Sequence, residues 1–306
     1  MTARTVLRAS AALVGDDLTT LDDPIVFVEG STITAIGAAS EHRPEDVTID
    51  CRGLTLMPGF IDAHVHIGFA RPEDVLQGGV TTVRDLGWPL DRIGPLCEAS
   101  EAPDFPGPTI IAAGQMLTAP GGYPTKAGWA PPGTGLEVSG PAIAEAAVEK
   151  QVAAGAVIVK VALNPPAGPT LPLDTLRAIV DAAHARDLRV TGHVHGLDEL
   201  HKALDAEMDE LAHMLMSSDR IPEETIGRMV AQEMAVVPTL SIRSGLDRRK
   251  AIENLHRFAA AGGLIVYGTD LGNAGPKPGI DRREVKAMAA AGLSATDIVR
   301  SATVDA

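Results

Sequence analysis

Aromatic residues make up only 3% of the 306 residues, which argues against the base-stacking surfaces that single-stranded nucleic acids need. Positive charge is also short. The 26 Lys and Arg against 40 Asp and Glu leave a net charge of −14, which repels nucleic acid and anionic membrane surfaces alike. The two cysteines, Cys51 and Cys97, lack CxxC spacing and are too few for a disulfide framework. No uninterrupted apolar run approaches the length of a membrane span, and no sustained apolar stretch precedes Asp16 and Asp17. These absences predict a soluble, cytoplasmic chain with neither a nucleic-acid nor a membrane partner, and leave a homo-oligomer open. At 45% hydrophobic residues, material for a sizeable core is present.

Residues 1–57 read as short strands. They are 5–14, a hairpin of 25–28 and 31–36 turning at Glu29-Gly30, then 47–51 and 54–57. From Gly59 onward strands alternate with helical segments, the pattern of an α/β fold with a parallel sheet. Eight apolar runs qualify as strands: 60–67, 81–86, 109–114, 157–163, 189–195, 210–214, 235–240 and 264–271. Helical patterns occupy 139–154, 172–186, 197–206, 222–233, 246–261 and 281–291. Eight strand–helix units predict a (β/α)8 TIM barrel over residues 58–306, preceded by a small β subdomain over 1–57. The Pro- and Gly-rich gap 117–138 follows strand three, where a long loop is usually functional.

In such a barrel the active site lies at the C-terminal ends of the strands. His64 and His66 sit two apart on strand one, so both point to one face, their Cα atoms roughly 6–7 Å apart. By itself the pair also fits two hydrogen-bonded core histidines. Lys160 interrupts the apolar strand Val157-Ile158-Val159-Lys160-Val161-Ala162-Leu163. His193 and His195 close strand five, His213 closes strand six and Asp270 closes strand eight. Each has a bland alternative: a snorkelling lysine, a buried polar histidine, an aspartate capping a turn. Together, at one rim, they need a common cause.

Metal chemistry supplies one, because imidazole and carboxylate are ordinary Zn²⁺ ligands. An ammonium at Lys160 would be repelled by two dications and should lose its proton. The neutral amine can then add CO₂, giving a carbamate able to bridge two metals. A bridging water would be acidified towards neutral pH, with Asp270 orienting it and carrying its proton to the leaving group.

The stretch Pro58-Gly59-Phe60-Ile61-Asp62-Ala63-His64-Val65-His66 is joined by Thr81-Thr82-Val83-Arg84-Asp85-Leu86-Gly87, Lys160, His193, His213 and Gly268-Thr269-Asp270. In that order they resemble the metal-dependent amidohydrolase superfamily, over nearly the whole chain. The resemblance implies that His64, His66 and Asp270 hold the more buried metal, that His193 and His213 hold the second, and that carbamylated Lys160 bridges them. It also implies that residues 1–57 are the first part of a small β-sandwich subdomain. Members continue past a helix that Ser301-Ala302-Thr303-Val304-Asp305-Ala306 resembles, so the subdomain is expected to be incomplete here, with strand edges that would need cover.

The tone of the motifs is similar to prolidase-like and imidazolonepropionase-like amidohydrolases, which hydrolyse amide bonds in small substrates, commonly with zinc. Where the prolidase-like enzymes carry a Gly-Gly-His substrate loop, this chain has Gly121-Gly122-Tyr123. Where several carry His-x-Tyr-Gly at strand five, it has His193-Val194-His195-Gly196, so His195 would have to donate the hydrogen bond to the tetrahedral intermediate. Arg243, just past strand seven, offers a cation for a substrate carboxylate. Arg84-Asp85 reads as a structural ion pair beneath the site, and His42, His184, His201 and His256 as surface residues. The expected activity is hydrolysis of a C–N amide bond in a small molecule by a binuclear zinc centre. A lactone, ester or phosphoester hydrolase would keep the same metals. A deaminase usually places a glutamate where Gly196 stands, and a non-catalytic barrel would have no need of six ligands.

Overall fold

A computed structural model describes residues 4–37 and 43–306. The chain divides into two compact units, Met1–Gly59 and Phe60–Ala306.

The first unit is one five-stranded sheet built on the long strand β1 (Thr5–Val14). One edge of β1 takes two antiparallel partners in turn: β2 (Thr19–Asp22) along Ala11–Val14 and β3 (Ile25–Glu29) along Thr5–Arg8. Its other edge pairs in parallel with β5 (Val47–Leu56). The expected hairpin joins β3 to β4 (Thr32–Gly37), with Gly30 at φ +61 supplying the left-handed turn residue. Val6, Ile25 and Phe27 form a small core on one face, while Ile33, Val47, Ile49 and Leu54 are exposed. Among the described residues this unit has a single sheet and no second sandwich layer.

The second unit is the expected barrel. Strands β6 (Phe60–Val65), β7 (Val80–Asp85) and β8 (Thr109–Ala112) pair in parallel. The carbonyl of Ala112 accepts from Val157 N at 3.0 Å, which carries the ring to β11. After Gly114, strand three resumes as β9 (Met116–Thr118) and pairs with β11 (Val159–Leu163). From there β12 (Val190–Val194), β13 (Glu210–Leu211) and β14 (Ala235–Val236) follow in parallel. Residues 265–271 close the circuit. Ile265 bridges Val236, Tyr267 O accepts from Ala63 N at 3.0 Å, and Asp270 N donates to His64 O at 2.7 Å. Strands six and seven are shorter than expected; in strand seven Pro238 lacks an amide hydrogen and a 3-10 turn, Leu240–Ile242, begins two residues on.

The gap 117–138 is not wholly without strands. β10 (Gly135–Glu137) pairs in parallel with β9, which folds the Pro- and Gly-rich loop back over the barrel rim. Helices α3 (Ala144–Ala153), α4 (Leu173–His184), α5 (Leu197–Asp205), α6 (Glu223–Ala231), α7 (Gly245–Ala260) and α8 (Arg282–Ala290) lie where the apolar spacing put them. Two short helices, Pro72–Gln77 and Leu90–Ser100, carry prolines that obscure their periodicity. Among the described residues no helix is long and apolar enough to cross a membrane.

Candidate metal centre

His64 on β6 and His66 just past its end project towards Asp270, which follows Gly268-Thr269 at the end of strand eight. The ligand atoms of these three buried residues lie within 4.8 Å of one another. Asp270 Oδ1 is 3.4 Å from His64 Nε2 and 3.3 Å from His66 Nε2. Two features of strand eight bring the carboxylate there. Gly268 has no side chain because a Cβ would lie 2.3 Å from Val237 and 3.0 Å from the His64 backbone. Asp270 itself adopts a left-handed φ of +58, which Asp tolerates better than most residues and which turns the chain inward. Beneath them the Asp62 carboxylate accepts from His64 N, Thr269 N and Thr269 Oγ1 at 3.1, 3.0 and 2.6 Å, tying the first strand to the last.

Both ligand histidines are oriented from behind. His64 Nδ1 donates to Ala212 O at 2.6 Å and His66 Nδ1 to Gly87 O at 3.2 Å. A carbonyl only accepts, so these contacts put each proton on Nδ1 and turn the Nε2 lone pair inward. Two lone pairs and a carboxylate oxygen facing one another at this range call for a cation or a proton among them. The second cluster lies beside the first. His193 Nδ1 is 3.0 Å from His213 Nε2, and His213 Nδ1 is 2.8 Å from Thr239 Oγ1. Lys160, in a strand whose five residues are all buried, has no exposure and no hydrogen-bond partner at Nζ. Neither an edge position nor a snorkelling side chain describes it.

Burial dominates the electrostatics. It pushes His64 and His213 well below the ordinary histidine value and His193 down to about 3, so all three are neutral ligand candidates at physiological pH. His66 is also buried, but its contact with Asp270 more than compensates and raises it. Burial drives the Lys160 ammonium down to about 7. Burial pushes Asp270 the other way, upward, yet His64, His66 and Lys160 together hold it well below the usual carboxylate range. The set is therefore one carboxylate, largely neutral imidazoles and an amine that gives up its proton easily. That is donor chemistry suited to binding divalent cations.

Tyr123 also faces this cavity, its ring 4.9 Å from that of His193. His195 does not. β12 ends at Val194, Gly196 turns at φ +90 into α5, and His195 lines an adjoining cavity with Arg243 and Ser217. His195 stands one residue beyond β12, as His66 stands one beyond β6, but here the turn at Gly196 redirects the chain and sets the side chain in the adjoining cavity. Arg243 is buried rather than solvated. Its guanidinium donates to Leu215 O at 2.8 Å and to Met214 O, holding the chain beyond His213. Arg84 and Asp85, adjacent on β7, point to opposite faces. Arg84 pairs with Glu210 at 2.6 Å, whereas Asp85 accepts from Ile67 N and Gly87 N. His184, His201 and His256 are exposed; His42 lies outside the described residues.

Several contributors escaped the sequence reading. Asp62 was visible only as part of a run, Asn164 lies 3.2 Å from His193 Nε2, and Trp129 stacks 5.1 Å from the His66 ring. A rare tryptophan in a glycine-rich loop was the one signal available for the last.

Comparison with known proteins agrees with this geometry. An uncharacterized protein of Mycobacterium tuberculosis is 32% identical over 206 residues, covering 61% of this chain and 51% of that protein. The chain thus spans about half the length of the curated relatives it matches. A prolidase solved in complex with N-methylphosphonate-L-proline superposes with a TM-score of 0.77 at 25% identity, over 99% of this chain and 86% of that one. A putative prolidase from Bifidobacterium longum gives a TM-score of 0.80 at 24% identity, over 98% and 82%, a likeness of fold. The amidohydrolase family model matches residues 55–306, which takes in every residue of the cluster. The chain belongs to the amidohydrolase family.

Proposed function

We propose that this protein is a metal-dependent hydrolase of a C–N amide bond in a small molecule. The observation that carries the reading is the buried convergence of His64, His66 and Asp270 beside Lys160, with Lys160 Nζ and Asp270 Oδ1 both lacking hydrogen-bond partners. Buried polar atoms are rarely left unpartnered, and a cation site accounts for both at once. His64, His66 and Asp270 would hold one Zn²⁺, His193 and His213 a second, with Lys160 bridging as its carbamate. Such ions supply Lewis acidity towards a carbonyl and lower the pKa of water.

The chain's own residues do the rest. The cavity above the cluster holds about 210 Å³ and is walled by Phe69, Tyr123 and Trp129, which limits it to a small substrate group. Asp270, ionised throughout the physiological range, is placed to take a proton from the attacking water and return it to the leaving nitrogen. Tyr123, rather than His195, is the hydrogen-bond donor to the developing oxyanion. Trp129 Nε1 donates to Tyr123 Oη at 3.1 Å, which leaves the phenol's own hydrogen for the cavity. Burial, with Asp270 nearby, pushes that phenol up to about 12, so it stays protonated. The prolidase solved with a phosphonate analogue of a proline peptide supports a peptide-like or N-acyl bond.

The test is metal analysis of protein grown with zinc and bicarbonate, followed by a screen of N-acyl amino acids, dipeptides, cyclic amides and lactones. Bound metal with amide turnover is expected. Protein that takes up no divalent ion would end the reading, and turnover of lactones alone would replace the amide.

A further inference from the structure

Aromatic side chains are scarce in this chain, yet they are not scattered. Both tryptophans, one of the two tyrosines and one of the five phenylalanines meet at the mouth of the metal centre. Trp129 lies 6.1 Å from Tyr123 and 6.3 Å from Phe69, ring centre to ring centre. Phe69 is 48% exposed, unusual for a residue with so many apolar places to hide, and is held edge-on by the buried Trp88 at 4.8 Å. The backbone is built around this arrangement. A Cβ on Gly68 would fall 2.3 Å from the Trp88 ring, and one on Gly272 would meet Phe69 at 3.1 Å and His66 at 3.0 Å. Met116, Met216 and Ile242 complete the apolar lining.

Charge is arranged with equal consistency. Apart from the candidate ligands and Lys160, the cavity lining contains no acidic or basic side chain. Arg243 has its guanidinium on the carbonyls of Met214 and Leu215 and lines the neighbouring cavity instead. Away from the candidate metal cluster, a carboxylate or ammonium on the substrate would find no counter-ion in the wall of Trp129, Phe69 and Tyr123. A single ring would find stacking partners, and a space of about 150 Å³ already accepts benzene.

We propose that the wall formed by Trp129, Phe69 and Tyr123 is a subsite for an uncharged apolar group of one-ring size, carried by the substrate next to its scissile amide, with Trp129 as the specificity-determining residue. The inference rests on the reading of the cluster as the place of reaction. It narrows the substrate class to amides with a hydrophobic acyl or amine portion and excludes those bearing a charge beside the bond.

Both tryptophans report on this pocket, so intrinsic tryptophan emission tests it without turnover. Metal-loaded protein is titrated with 3-phenylpropionamide, butyramide and succinamate. The expected result is saturable change with 3-phenylpropionamide at about tenfold lower concentration than with butyramide, and none with succinamate. In Trp129→Ala, where Trp88 remains as reporter, the preference for the ring should vanish; in Trp129→Phe it should persist. Equal affinity for all three amides, tightest binding of succinamate, or an unchanged preference in Trp129→Ala would overturn the proposal. Ring-selective binding without hydrolysis of any amide would uphold the subsite and end the amide-hydrolase reading. Hydrolysis without ring selectivity would end the subsite alone.

Discussion

Lys160 sits wholly buried in β11, its Nζ without a hydrogen-bond partner, and burial lowers its ammonium from an ordinary 10.5 to about 7. At pH 7 an unfolded lysine is fully protonated while the folded one is about half protonated, so burying it costs the metal-free protein about 4 kcal/mol. The sign follows from proton counts. Between these two values the unfolded chain binds more protons, so stability rises with pH, by roughly 2 kcal/mol from pH 7 to 9. Lys160→Met keeps the length and removes the charge. After chelator treatment the variant should exceed the wild type by up to about 4 kcal/mol at pH 7, the gap narrowing by about half at pH 9. Guanidinium denaturation of both chelated proteins at pH 7, 8 and 9 measures it, with equal m values as the check on a common unfolded state. The same variant should lose metal and turnover. A variant no more stable than wild type, or a gap that ignores pH, would refute the account of Lys160 as a destabilising amine kept for the site.

Tyr123→Phe removes one hydroxyl and should lower kcat by about 10²–10³-fold with melting temperature unchanged; a rate near wild type would return the oxyanion contact to another donor. Glu210→Gln leaves Arg84, only 14% exposed, without its ionic partner and should cost about 3–5 kcal/mol in denaturant unfolding. Glu284 accepts from Leu240 N and Ser241 N at 2.8 and 2.6 Å, so Glu284→Gln, which turns an NH₂ towards one of them, should cost about 1–3 kcal/mol. Burial raises Glu284 from 4.5 to about 7. Its folded form therefore binds more protons across that window, and wild-type stability should carry a fall with rising pH that the variant lacks, visible by comparing pH 5 with pH 8.

The barrel was legible because its strands are apolar on both faces and separated by helices of ordinary length, a pattern with few other solutions. His64 and His66 stood out through period two, and Lys160 through the lack of any strand-level excuse for a charge among valines. Spacing carries no information about how the chain turns after a strand: His66 and His195 each lie one residue past their strands, and only the turn at Gly196 sets His195 in an adjoining cavity. The burial of Arg243 was illegible for a related reason. A loop that folds over the rim buries what a free loop would expose, and only the carbonyls of Met214 and Leu215 reveal it. Asp62 and Thr269 act through one contact between distant segments, and Trp129 through a loop whose course depends on the β9–β10 pairing. Local pattern is blind to both.

The bond between Asp62 and Thr269 joins residues 207 positions apart. It bears on the order of events when the chain folds. Closing a loop of that length early is entropically unfavourable, and topologies dominated by distant contacts fold slowly. His66 gains its orienting carbonyl, Gly87 O, once the segment after β7 is in place, His64 gains Ala212 O only after β13, and their carboxylate partner comes with the last strand. During synthesis, then, the candidate ion site stays incomplete until strand eight docks. If these three residues hold an ion as proposed, its uptake would mark the completed ring and serve as a clock for barrel closure in a refolding experiment.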